Sequence, residues 1–228
     1  MKLIVSSLRN LNEATVKDDV EEAVQLWLDN KDIITGFDLV AEEDPNHRTL
    51  DYLDVWMELK DWGEREGMDL PLYFHDGESN DRNNTNVVDA VMLGSKRIGH
   101  GTNLYFFPVL YDAIREQGIA IEVNPLSNQI LRYVDNLEVH PVNGFLAQGF
   151  NVVIAADDPG AFGYTGLSWD FWASMLAFQL DLKSLKTLAR GSLVHSGLEG
   201  GELEAALNNW QGKWDEWVKD RVGKMSVS

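Results

Sequence analysis

The sequence contains no cysteine. Disulfides and thiolate metal sites are therefore excluded, and any metal must be held by His, Asp or Glu. A chain without cysteine also fits a reducing compartment. Positive charge is scarce, with 19 Lys and Arg against 37 Asp and Glu and a formal net charge of −18. Such a surface repels phosphate backbones and anionic membranes, which argues against nucleic acid or a membrane as partner; small neutral molecules are unaffected. No apolar run approaches the roughly 20 residues that cross a bilayer. Met1 is followed by one lysine and only a short apolar run, Leu3–Val5, which is no secretory signal. As written, the chain is expected in the cytoplasm, with secretion left open for a longer N-terminus. Glycine-rich phosphate loops of the G-x-G-x-x-G or Walker type are absent too.

What is there is an alternation. Apolar runs at Leu3–Val5, Ile33–Val40, Leu70–Phe74, Arg97–Ile98, Ile119–Val123 and Val152–Ala156 are separated by amphipathic stretches at Asp18–Leu28, Leu50–Glu66, Asn86–Leu93, Phe107–Gln117, Pro141–Ala147 and Ser168–Leu180. Strands alternating with helices predict a parallel sheet within one domain over residues 1–228, with a helical region at about 182–222. Each apolar run breaks into polar residues at its carboxyl end: Asp38, His75-Asp76-Gly77-Glu78, Gly99-His100-Gly101, Glu122 with Asn124, and Asp157-Asp158. An open doubly wound sheet gathers ligands in one crevice, usually beside a glycine-rich loop. Polar residues at strand after strand favour a TIM-type (β/α) barrel, α/β in class, whose parallel strands all end on one face. Trp210, Trp214 and Trp217 form a one-sided stripe expected to pack against the barrel.

His75 and Glu78 form an H-x-x-E pair on a turn. The imidazole can bind metal, and the carboxyl can move a proton nearby. Asp157 and Asp158 are adjacent acids at the end of an apolar run, a costly placement without a cation or donors. The other reading is that Asp158 caps the helix that Pro159 would start. His100 lies between two glycines that leave its ring accessible. His47, His140 and His195 read as structural.

Together these segments resemble the adenosine deaminase family. His75-Asp76-Gly77-Glu78 is similar to its H-A-G-E motif, Arg97-Ile98-Gly99-His100-Gly101 to R-[IV]-G-H-G, and Ala156-Asp157-Asp158-Pro159 to S/T-D-D-P. Asn124-Pro125-Leu126-Ser127-Asn128-Gln129, Val139-His140-Pro141 and Gly36-Phe37-Asp38-Leu39-Val40 resemble the adenosine deaminase-related growth factor subfamily. The resemblance implies one Zn²⁺ held by His75 and Asp157. It implies Glu78 as proton donor to purine N1, and His100 as the group that orients the attacking water, helps to deprotonate it and steadies the developing charge. Asp158 would accept a bond at purine N7, and the amide of Ala41 would face N3. The implied reaction turns adenosine or deoxyadenosine into inosine and ammonia. The partner is a small purine nucleoside, and a homodimer is left open.

Three departures qualify this. The family's first strand carries an H-x-H pair, and none occurs here. The chain is thus expected to begin at the family's third strand, as a fragment with six of eight strands, inactive alone. Ala41 stands where the family usually has glycine, which keeps a related purine nucleoside in play as substrate. Leu8 stands where the subfamily has histidine, which bears on ribose recognition. The alternative to an enzyme is a growth-factor-like binding relative that lost the metal.

Overall fold

A computed structural model describes residues 1–225. The first strand, β1 (Leu3–Leu8), is followed by helix α1 (Glu13–Asp29), whose first turn is capped by the Asn12 side chain accepting from the Thr15 amide. Strand β2 (Ile34–Val40) returns parallel to β1, with Val5 opposite Phe37 and Leu8 opposite Val40. The units that follow are α2 (Leu53–Glu66) with β3 (His75–Asp76), α3 (Asn86–Leu93) with β4 (Arg97–His100), and α4 (Tyr111–Gln117) with β5 (Ala120–Val123). Two short helices, α5 (Pro125–Ile130) and α6 (Val142–Ala147), precede β6 (Asn151–Ile154), and α7 (Ser168–Ala177), α8 (Leu182–Val194) and α9 (Gly200–Met225) close the chain.

The ladders join β1 to β2, and β3 through β4 and β5 to β6, all parallel. A parallel bridge between Phe37 and Leu72 links the two groups, so the strands run in chain order as an incomplete (β/α) barrel. The apolar run Leu70–Phe74 is not itself a regular strand. Bonding to β2 continues around Pro71, through Phe37 N–H to the Pro71 carbonyl and Tyr73 N–H to the Phe37 carbonyl; toward β4, Lys96 N–H reaches the Leu72 carbonyl, but the Phe74 N–H turns to Ser95 Oγ at 3.2 Å. The ladder toward β4 forms only at His75–Asp76.

The inner strands β2 and β5 are mostly apolar on both faces because helices cover one side and the barrel interior fills the other. Phe37, Leu39, Phe74, Ile98, Ile121 and Ile154 are all buried in one cluster, each worth roughly 1.5–3 kcal/mol relative to exposure. A charged pair also lies inside: Arg9 is fully buried and holds Asp76 Oδ1 at 3.0 Å, with Thr49 Oγ1 donating to the same oxygen at 2.7 Å.

The tryptophan stripe is not buried in the barrel. Trp210 stacks on Trp214, Trp217 meets Trp214 at a tilt of 45°, and all three face α7 and α8 across a cleft of about 520 Å³, where Trp217 stays 42% exposed.

Candidate active site

Residues from four strand ends, β2, β3, β4 and β6, meet at one rim. Asp38, near the end of β2, receives the His75 backbone N–H on one oxygen at 2.9 Å and its ring Nδ1 on the other at 2.7 Å. A carboxylate only accepts, so Nδ1 carries the hydrogen and Nε2 is left to bind elsewhere. A carboxylate behind the imidazole is also how metal-binding histidines are commonly oriented. Beyond β6, Asp157 takes a 2.6 Å bond from Ser127 Oγ on Oδ2. His100 ends β4; its ring lies 5.2 Å from that of His75, and its Nε2 is 3.8 Å from Asp157 Oδ2. One donor atom from each of His75, His100 and Asp157 falls within 4.8 Å of the others.

Glu78 reaches the same place through the turn at Gly77. That glycine has φ +83°, and a Cβ there would meet Asn103 Oδ1 at 2.7 Å, so a side chain is barred twice over. The Glu78 amide donates to Glu43 Oε1 at 2.5 Å, and the other Glu43 oxygen accepts from Asn84 and Asn86 at 3.0 and 2.8 Å. Glu78 Oε1 then lies 3.4 Å from His100 Nδ1.

Three of these rim residues have left-handed backbones without being glycine: Ala41 at φ 88°, His100 at 63° and Asp157 at 56°. Strain of this kind gathers at functional sites, where the surroundings over-determine it.

The site's electrostatics divide its acids and bases. Burial pushes the Glu78 carboxyl up to about 8, with the Asp157 charge adding to it, so it is a protonated acid at neutral pH. Burial opposes a charge on His75, but the Asp38 charge and hydrogen bond outweigh that and raise it to about 10. Burial, and then the His75 charge, hold His100 well below the usual imidazole value, and so neutral. Burial likewise raises Asp157. Acids crowded around a proton-holding imidazole make a site that favours a cation, and a donor set of imidazole nitrogen and carboxylate oxygen without thiolate suits a divalent metal.

Of the residues singled out from sequence, His75, Glu78, His100 and Asp157 come together. Asp158 is exposed beside Asp157, and Ala41 follows directly on β2. His47 is an exposed residue beside Asp51, and His195 caps the end of α8. Asp38, Glu43 and Ser127 are part of the site although pattern alone gave them no role.

The adenosine deaminase family model matches residues 1–208. The chain belongs to the adenosine deaminase family. It is 36% identical over 96% of its length to adenosine deaminase 2 of Dictyostelium discoideum, and 35% identical over 98% to adenosine deaminase 2 of Homo sapiens. It spans 40% and 44% of those two proteins, and so less than half of each relative. Among solved structures, an adenine deaminase from Arthrobacter aurescens superposes with a TM-score of 0.77 at 25% identity, over 96% of this chain and 62% of that one. A zinc-bound amidohydrolase from Burkhoderia ambifaria shares the fold, with a TM-score of 0.77 at 20% identity over 97% of this chain and 59% of that one. The barrel expected from the polar strand ends is therefore the fold of this metal-dependent family.

Proposed function

We propose that this rim is the catalytic face of a zinc-dependent adenosine deaminase, converting adenosine and water to inosine and ammonia. The observation that carries the reading is the meeting of donor atoms from His75, His100 and Asp157 within 4.8 Å, beside a Glu78 that keeps its proton at neutral pH.

His75 through Nε2 and Asp157 through its carboxylate are the zinc ligands. Catalytic zinc usually has three protein ligands; these residues supply two, and no H-x-H pair occurs in the 228 residues. Bound there, zinc supplies water acidified to a pKa of about 7. Glu78 gives its proton to purine N1 as oxygen bonds to C6, so that the ring nitrogen does not have to carry negative charge. His100 orients the attacking oxygen and steadies its charge. Asp158 accepts at N7 and the Ala41 amide faces N3, which selects a purine. The proton lost by the attacking water restores Glu78, the new C6 hydroxyl passes its own to the amino group, the C6–N bond breaks, and ammonia leaves.

The test uses the full 228-residue chain. Zinc binding is measured by titration calorimetry, and inosine is followed with zinc and adenosine supplied. One zinc per chain is expected, lost in Asp157→Ala. Inosine formation is expected to fall by about 10²–10⁴ in Glu78→Gln. Measurable inosine formation at equal rates in both proteins, or zinc binding indifferent to Asp157, would overturn the proposal.

A further inference from the structure

A line of hydrogen bonds runs from the Val142 backbone to His100 Nδ1. The Val142 amide donates to His140 Nδ1 at 3.1 Å. A backbone N–H can only donate, so His140 Nδ1 is bare and the neutral ring carries its hydrogen on Nε2. Burial holds this imidazole down at about 4, so it is neutral at pH 7. His140 Nε2 lies 3.0 Å from Asn128 Oδ1 and donates to it. That bond fixes which way the Asn128 amide faces, so its Nδ2 donates to His100 Nδ1 at 3.0 Å. His100, Asn128 and His140 are all almost fully buried, so bulk water does not compete for these links. Two other groups approach the ring at 3.4 Å: Asn124 Nδ2 lies that far from each nitrogen, and Glu78 Oε1 that far from Nδ1. The Asn128 contact is shorter than either.

We propose that Asn128 and His140 are positioning residues that hold His100 in one tautomer, with Nδ1 bare and the Nε2 hydrogen turned toward the cleft, beside Asp157. Direction enters the chain at one unambiguous point, the Val142 amide, and passes through two side chains whose donor and acceptor ends cannot both be exchanged. The consequence narrows the work of His100: it meets the cleft as a hydrogen-bond donor, suited to negative charge on the attacking oxygen, rather than as a base. That consequence rests on the deaminase reading above; the tautomer does not.

The test is nitrogen-15 NMR of the metal-free full chain with labelled histidine, reading for each ring which nitrogen bears hydrogen. His100 and His140 are both expected as Nε2–H forms at pH 7. Asn128→Asp replaces the donor with an acceptor, so His100 is expected to switch to Nδ1–H. His140→Gln keeps an N–H at the Nε2 end and is expected to leave His100 unchanged. His100 found as Nδ1–H in the wild type, or unmoved by Asn128→Asp in a folded protein, would overturn the proposal. Where deamination is measured, a misplaced hydrogen is expected to cost on the order of 10²–10⁴ in rate in Asn128→Asp, with kcat falling more than KM rises and His140→Gln retaining most of it. A fall of the same size in His140→Gln with its His100 tautomer intact would mean a merely structural role.

Discussion

Asp38 grips His75 twice, through the backbone amide at 2.9 Å and through ring Nδ1 at 2.7 Å. Two bonds to one carboxylate fix both the ring's rotation and its tautomer, leaving Nε2 as the only nitrogen that can meet a metal. Asp38→Asn keeps the shape but loses the charge that favours a proton on Nδ1. Zinc affinity is expected to fall 10–100-fold, read by competition with a chelating dye. Unchanged affinity would remove Asp38 from the metal site.

The same charge makes the metal-free protein sensitive to alkali. His75 has its folded value raised to about 10 and Glu78 to about 8, so the folded state holds both protons more tightly than the unfolded chain. The His75 contribution is complete below about pH 6.5 and is lost as pH rises toward 10. Glu78 works in the same direction between about 4.5 and 8. His100 and His140 are lowered, so their contribution is present above about 6.5 and lost in acid. The urea midpoint of the metal-free chain is expected to peak near pH 6.5 and decline on both sides. A midpoint still rising from pH 7 to 9 would contradict this assignment.

Metal binding should therefore displace a proton. At pH 7.5 His75 is protonated in the metal-free site, whereas a ligand imidazole offers a lone pair. Calorimetry in buffers of differing ionisation enthalpy is expected to show about one proton released per zinc, and none from this source in His75→Ala. Apparent affinity should rise with pH until His75 loses its proton unaided.

Much of this was legible in sequence because it is local. The helix Asn86–Leu93 appears with the bounds its apolar pattern gives, and His75, His100 and Asp157 stand where apolar runs turn polar. What pattern reading could not supply is pairing across distance. Glu43 supports Glu78 from 35 residues away, and Ser127 holds Asp157 from 30; neither leaves a periodic trace. His140 read as structural because it precedes a proline, and only the path through Asn128 ties it to His100. β3 was displaced from its apolar run because the Phe74 amide donates to Ser95 Oγ rather than to a strand carbonyl, which hydrophobicity does not register.

Ala41 offers a test in which stability and recognition should move together. Its φ of 88° is a conformation that costs a residue with a Cβ roughly 1–2 kcal/mol. Ala41→Gly removes that cost, while the freer unfolded chain takes back about 0.4–1 kcal/mol. The net gain is about 0–1.6 kcal/mol, and at about 2–4 °C per kcal/mol for a chain of this size the melting temperature should rise by up to about 6 °C. A β-branched residue tolerates this backbone less well than alanine, so Ala41→Val should lower it. On the deaminase reading, the methyl also crowds the purine where the amide faces N3, so the KM for adenosine should fall in the glycine variant with kcat little changed. A glycine variant that melts lower than the parent would show that the alanine methyl makes contacts worth more than the strain of its backbone.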